Sequence, residues 1–272
     1  MNSLVEGAPC ASAHADLERR FGGLRRLYGD SGYARIRAAR FAIVGLGGVG
    51  SWCAEALARS GVASLTLIDL DHVSESNINR QVQAVGATLG QAKVQALRER
   101  IEDIHPGCDV ICVEEFVDDT NWPALLPRPV DAVIDACDQV RAKAAIAAWA
   151  LSTKTPLVTA GAAGGKRRPQ DVEVDDLGRV THDPLLASLR NRLRRFYGAA
   201  RTGEIGVHCV FSREAVGALD KPRSVEGASA DGTLNCHGYG SSVGVTATFG
   251  LVAFNRSRAW RIISLTPSTE RL

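Results

Sequence analysis

The sequence predicts an α/β protein built on a doubly wound, mostly parallel sheet, and three observations carry that prediction. A short apolar run at residues 41–44 ends in Gly45-Leu46-Gly47-Gly48-Val49-Gly50. Residues 51–60 then place apolar side chains at helical spacing, and residues 65–69 read as a second strand, which completes a β-α-β unit. Strand-length apolar runs go on alternating with helical patterns as far as residue 159, as parallel strands covered on both faces require.

Taken in order, residues 1–19 are small and polar without period and are expected to form a flexible segment. Beyond the first β-α-β unit, residues 91–104 read as a helix, 110–113 as a strand, 132–136 as a buried strand, 141–152 as a helix and 156–159 as a strand. Right-handed crossovers bring the carboxyl ends of these strands to one edge, where such sheets bind ligands. After Gly165 the character changes. Residues 171–181 read as a hairpin turning at Asp176-Leu177-Gly178, 184–197 as a strongly basic helix, 206–212 as a strand and 217–240 as a long crossover loop. Residues 242–254 form an apolar terminal helix of 13 residues, too short for the ~20 a spanning helix needs, so no stable membrane insertion is expected. Its Gly244, Ala247, Gly250 and Ala253 recur three apart, which suits close packing. The expected organisation is a flexible segment at 1–19, a nucleotide-binding domain at 20–165, and a C-terminal extension of that domain at 166–272.

With 272 residues, 45% apolar and 23% charged, the chain can bury a sizeable core, which excludes a disordered tail or a disulfide-stapled miniprotein. Its 32 basic and 30 acidic residues leave a formal charge of +2, so any affinity for nucleic acid must be local. The seven cysteines are scattered and none is spaced C-x-x-C, so no four-cysteine zinc clasp or thioredoxin-type pair is encoded. With no secretory pattern in residues 1–20, a reducing cytoplasm is the expected compartment.

Gly45, Gly47 and Gly50 match G-x-G-x-x-G between a strand and a helix, and Asp69 ends the next strand. Glycines let backbone approach a phosphate, the helix N-terminus offers unpaired N–H groups, and the carboxylate accepts ribose hydroxyls. By itself this motif leaves NAD, FAD and ATP open. A triphosphate carries more charge than a pyrophosphate, however, and Arg80 in the following polar loop and Lys93 at the next helix supply added cations. Asp138 lies just past the fourth strand, at the ligand-binding edge, as a candidate holder of Mg²⁺, whereas Asp135 reads as a strand-end residue bonded to backbone. The run from Gly161 to Arg167 is no P-loop. It has three residues between its framing glycines and Arg where Ser or Thr would meet magnesium, so a tight turn beside the nucleotide site explains it.

The glycine loop, Ser76-Asn77-Ile78-Asn79-Arg80, Lys93 and Asp135-Ala136-Cys137-Asp138 together resemble the E1-like adenylating enzymes of the ThiF/MoeB/HesA superfamily, over about residues 20–165. The resemblance implies a Rossmann-like fold that binds ATP with Mg²⁺ and activates a carboxylate. It further implies that Asp69 takes the ribose, that Asn77, Arg80 and Lys93 approach the phosphates, that Asp138 sits by magnesium, and that Gly48 and Asp71 join the nucleotide-contacting set. Such enzymes are homodimers, and Arg20 resembles the arginine one subunit lends to the other's site.

The rest of the chain resembles one branch, the tRNA threonylcarbamoyladenosine dehydratases, through Arg26-Leu27-Tyr28-Gly29, Thr181-His182-Asp183-Pro184-Leu185-Leu186 and Asn235-Cys236-His237-Gly238. That branch activates the threonyl carboxylate of t6A at position 37 of tRNA, and an internal nucleophile closes the ring to cyclic t6A. No cysteine lies between Ala160 and Val207, where thioester-forming relatives place theirs, which agrees with a substrate-borne nucleophile. For a tRNA partner the candidate contacts are Arg190, Arg192, Arg194 and Arg195, with Lys166, Arg167 and Arg168 as an extension; a merely solubilising helix is the alternative. Cys236, beside His237, is a candidate reactive thiol or else a structural one, and some relatives work beside a cysteine desulfurase and its sulfur acceptors. The rival reading, adenylation of a ubiquitin-like sulfur carrier's C-terminus, is disfavoured by the missing C-x-x-C pairs.

Overall fold

The computed structural model describes residues 15–215 and 239–256. Seven strands make one sheet: β1 (Arg40–Val44), β2 (Ser64–Ile68), β3 (Asp109–Val113), β4 (Ala132–Asp135), β5 (Leu157–Ala160), β6 (Val172–Asp176) and β7 (His208–Ser212). Their order is β3-β2-β1-β4-β5-β7-β6, and every neighbouring pair is parallel except β6 with β7. Helices α1 (Leu17–Phe21), α2 (Gly23–Ala38), α3 (Gly50–Arg59), α4 (Lys93–Ile104), α5 (Val140–Thr153), α6 (Pro184–Phe196) and α7 (Val243–Arg256) surround it. The chain winds outward from β1 to β3, then returns to lay β4 on the other side of β1. The carboxyl ends of β1 and β4 therefore flank the point where strand order reverses, the place such sheets reserve for ligands.

The unbroken apolar run in β1 serves both faces. Phe41 and Ile43 enter a core with α3, α4 and α7, whereas Ala42 and Val44 enter a second core with α5 and α6. On α6, Asp183 caps the first turn by accepting from the Leu186 amide at 3.0 Å, Pro184 occupies a first-turn position, and Leu185, Leu186, Leu189 and Leu193 are buried. On α7, a Cβ at Gly250 would lie 2.5 Å from the Val49 carbonyl, so the backbones of α7 and of the turn into α3 meet directly. Among the described residues, no helix is long and apolar enough to cross a membrane.

Two expectations are corrected. Residues 171–181 are not a hairpin: only Val172–Asp176 is a strand, and its antiparallel partner is β7, thirty-odd residues on. The turn at Asp176 exists because the Asp176 carboxylate accepts from the Gly178, Ile205 and Gly206 amides, which stitches the chain to β7's approach rather than to a returning arm. Residues 17–19, read as part of a flexible start, begin α1, where Asp16 accepts from the Arg19 amide at 3.0 Å and Phe21 is buried against His105. Helix α2 is broken in two at Gly29, where φ is 67°.

Candidate functional site

One cavity of about 530 Å³ opens at the switch point. Gly45, Gly47 and Gly48 line it, together with Asp69, Asp71, Asn77, Arg80, Lys93 and Asp138. Most of the nucleotide-contacting residues expected from sequence are thus brought together. The turn needs glycine at two places for different reasons. Gly45 has φ 84°, and a Cβ there would stand 2.7 Å from the Cys137 amide nitrogen; a Cβ at Gly50 would overlap the Gly45 carbonyl. Gly47 faces open space, so a ligand can reach the backbone. Helix α3 begins here with no side-chain cap, leaving its first N–H groups for an anion.

The carboxylate of Asp69 closes the turn from the β2 side, accepting from the Leu46 amide at 2.6 Å and the Asp71 amide at 2.8 Å. Burial raises its pKa, and the nearby Lys93 offsets that only in part. The two expected cations differ in availability. Lys93, nearly buried, has its ammonium 2.7 Å from Asp71 Oδ2. The Arg80 guanidinium donates only to neutral acceptors, the Ser76 carbonyl at 2.6 Å and Asn79 Oδ1 at 2.9 Å, so no carboxylate among the described residues cancels its charge. Its backbone is fixed by Trp52, whose indole N–H donates to the Arg80 carbonyl at 3.0 Å. Asn77 spends its side-chain oxygen on the Ser74 amide, holding the single turn that presents Arg80.

Below the cavity the strand end is more elaborate than expected. Asp135 is not merely bonded to backbone: it is fully buried with Lys143, whose Nζ lies 3.1 Å from Asp135 Oδ2, 3.0 Å from Thr159 Oγ1 and 2.8 Å from the Ala160 carbonyl. Burial, the largest single influence, lowers the lysine's pKa, but the Asp135 charge, the hydrogen bond to it and the nearby thiols together outweigh burial and the pKa is raised. Cys137 lines the cavity, and burial plus the adjacent Asp135 push its thiol well above the ordinary range. Asp138 is exposed at the cavity wall, and Gln139, which makes no side-chain cap bond, stands between it and α5. Mg²⁺ typically takes one or two carboxylates plus substrate phosphates, a demand that Asp138 fits. Among the described residues no cluster of three His, Cys, Asp or Glu side chains forms a full cage.

The opposite wall was only partly foreseen. The turn from Gly161 to Gly164 lines the cavity and is pinned by Asp183, which accepts from the Ala162 amide at 2.9 Å. Lys166, expected on an RNA-facing surface, is buried instead, and its ammonium donates to the carbonyls of His182, Ser212 and Glu214. Burial lowers its pKa. Phe116 and Val117 after β3, and Tyr239 and Thr246 from the terminal element, also line the cavity and carry no sequence motif that marks them.

Two other groups of candidates lie elsewhere. Arg20 does not line this cavity; it donates to the Asp103 and Ile104 carbonyls at 2.7 Å, capping the end of α4 in its own chain. Of the four arginines on α6, Arg190 turns inward onto the Leu177 and Val180 carbonyls, and Arg192 lies 3.8 Å from Asp119, so these two are taken up by the fold. Arg194 and Arg195 line a separate cleft. Cys236 lies outside the described residues.

Comparison with known proteins accords with this geometry. The ThiF family profile matches residues 20–246. The tRNA threonylcarbamoyladenosine dehydratase of Escherichia coli is 43% identical over 249 residues, 88% of this chain and 92% of that protein. The Haemophilus influenzae protein of the same name is 41% identical over 242 residues, with the same coverage. The crystal structure of the Escherichia coli enzyme in complex with ATP superposes with a TM-score of 0.81 at 41% identity, covering 92% of this chain and 96% of that one.

Proposed function

This chain belongs to the ThiF family, and from that premise we propose that it is an ATP-dependent dehydratase that converts t6A at position 37 of tRNA into cyclic t6A. The observation that carries the reading is the cavity itself, where a glycine turn shaped for phosphate, Arg80 and Lys93 come together. A carboxylate resists attack because its oxygens carry the charge. Its oxygen attacks a phosphorus of ATP, expelling pyrophosphate or ADP, and the resulting mixed anhydride has a leaving group. A nucleophilic atom already on the modified base then attacks the acyl carbon, and AMP or phosphate departs. Because that atom is supplied by the substrate, proximity replaces an enzyme nucleophile.

The residues divide this work. Backbone N–H groups of the glycine turn and of α3 receive the phosphates, and Asp69, on the neighbouring strand, takes the ribose. Ile68, Phe116 and Val117 offer the adjoining apolar wall to the base. Arg80 meets the charge that grows on the departing phosphate, and Lys93 shares it once the nucleotide competes with Asp71. Bound at Asp138, Mg²⁺ would neutralise phosphate charge. We place the enzyme in the cytoplasm as a homodimer, with Arg20 holding the end of α4 in its own chain. Cys236 is not required, so Cys236→Ser keeps ring closure.

The test is mass spectrometry of nucleosides from t6A-containing tRNA incubated with the protein and Mg-ATP. A product lighter by one water supports the reading. Unaltered t6A, together with adenylation of a sulfur carrier's C-terminus, overturns it.

A further inference from the structure

We infer that the far end of α6 carries a cleft for the nucleic-acid backbone, formed by Arg194, Arg195 and Arg201 with Asn191 and distinct from the catalytic cavity. The inference rests on the tRNA substrate proposed above and deepens it. The cleft is shallow and open to solvent, about 460 Å³, and these four residues line it. Among the described residues, no carboxylate pairs with the three arginines, whereas other arginines nearby are neutralised: Arg179 by Asp175 and Glu204, Arg213 by Glu173. Three uncancelled guanidinium groups in one concave site select a polyanion, and their forked donors match phosphate oxygens.

The cleft is also built. Arg194 Nε donates to the Ala200 carbonyl at 3.0 Å, which holds the turn that presents Arg201. Arg195 lies over the Phe196 ring, 5.1 Å from its centroid, so its guanidinium is oriented before any ligand arrives. Phe196 and Tyr197 remain exposed at 59% and 41%, an unusual pair of rings beside a basic cleft. Arg192 and Arg195 both lie 5.1 Å from the Phe196 centroid, so that ring holds guanidinium groups, while the exposed Tyr197 offers a nucleobase a surface to stack on.

Placement ties the cleft to the reaction. Leu185, at the start of α6, lines the catalytic cavity. Arg194 and Arg195 come nine and ten residues later on the same helix, about 15 Å away at 1.5 Å per residue. That distance spans roughly four steps of a stacked strand at about 3.4 Å each. One rigid helix therefore runs from the wall of the catalytic cavity to the phosphate cleft.

The test compares the wild-type chain with R194Q/R195Q/R201Q, reading t6A-tRNA binding by fluorescence anisotropy over a salt series. Losing three phosphate contacts makes the plot of log K against log salt shallower by about 2 to 3. The lysine variant R194K/R195K/R201K keeps most of the wild-type slope. ATP affinity, measured alongside, reports the fold; if the triple variant loses it, Arg195→Gln alone still shows a slope change of about 0.7 to 0.9. An unchanged slope in the glutamine variants overturns the cleft even if the wild type dehydrates t6A, and so does polyglutamate competing as well as tRNA. Conversely, a flattened slope in a protein that leaves t6A unaltered upholds the cleft and removes the catalytic reading.

Discussion

Replacing Lys143 with methionine tests how the floor of the cavity is held. In the wild type, Lys143 Nζ joins Asp135, Thr159 and the Ala160 carbonyl, linking the loop after β4 to the one after β5. Methionine fills most of the space but leaves the Asp135 carboxylate charged, dry and without its cation. Removing one partner of a buried pair costs about 3–5 kcal/mol. The Thr159 hydroxyl and Cys137 amide still donate to Asp135, at 2.5 Å and 3.2 Å, which favours the lower end, about 3 kcal/mol. For a chain of this size that is a drop in Tm of about 6–12 °C. The sign with pH follows from the groups involved. Lys143's raised pKa keeps the wild-type pair intact through neutral pH, its stabilisation disappearing only as pH rises above the folded value. Thermal unfolding by circular dichroism at neutral pH reads the loss. The double variant D135N/K143M should recover about half of the loss. Equal stability of K143M and wild type at neutral pH, with no gain in the double variant, would refute the pairing as the floor's support.

Other outcomes follow from single contacts. Arg80→Ala should lower single-turnover ring closure by about 10² while unfolding at the wild-type temperature, because its charge acts on the leaving group and its partners are exposed; an unchanged rate removes Arg80 from the reaction. Lys93→Ala should lower turnover similarly and also weaken ATP binding in a titration, since it leaves Asp71 without its cation facing the phosphates. Gly250→Ala places a Cβ 2.5 Å from the Val49 carbonyl, so α7 must lift, and hydrogen exchange in α3 and α7 should accelerate. His105, whose pKa burial and Arg37 lower from 6.5 to about 4, stabilises the fold fully above pH 6.5. That contribution erodes as pH falls toward 4, where the unfolded chain binds the proton first, so His105→Gln should show a flatter stability profile between those values in urea titrations.

How much was legible before the structure depends on whether a residue's job is written in its neighbours along the chain or in those across the fold. The glycine turn, Asp69 and Asp138 act at strand ends, and strand ends are visible as apolar runs that stop. Arg80 and Lys93 are expected beside the glycine loop because a polyphosphate would need cations there, and both line the cavity. Thr246 and Tyr239 were not, since they reach the cavity from about 160 residues beyond Arg80, and only the packing of α7 on α3 brings them there. The hairpin misreading has the same origin: Asp176 encodes a turn locally, but its bonds to Ile205 and Gly206 send the strand to a distant partner.

The arginines of α6 make the distinction sharpest. In sequence, Arg190, Arg192, Arg194 and Arg195 are equivalent positive charges on one basic helix. Folding separates them by direction, because Leu185, Leu186, Leu189 and Leu193 fix which side of α6 faces the core. Arg190, one residue past Leu189, swings under the helix to satisfy the carbonyls of the Asp176 turn, and Arg192 comes within reach of Asp119. What remains facing outward is the pair whose charge no carboxylate among the described residues cancels, joined by Arg201 through a turn held by Arg194 itself. Charge composition names the class of partner, and the apolar stripe on the opposite side of the helix decides which of those charges can meet it.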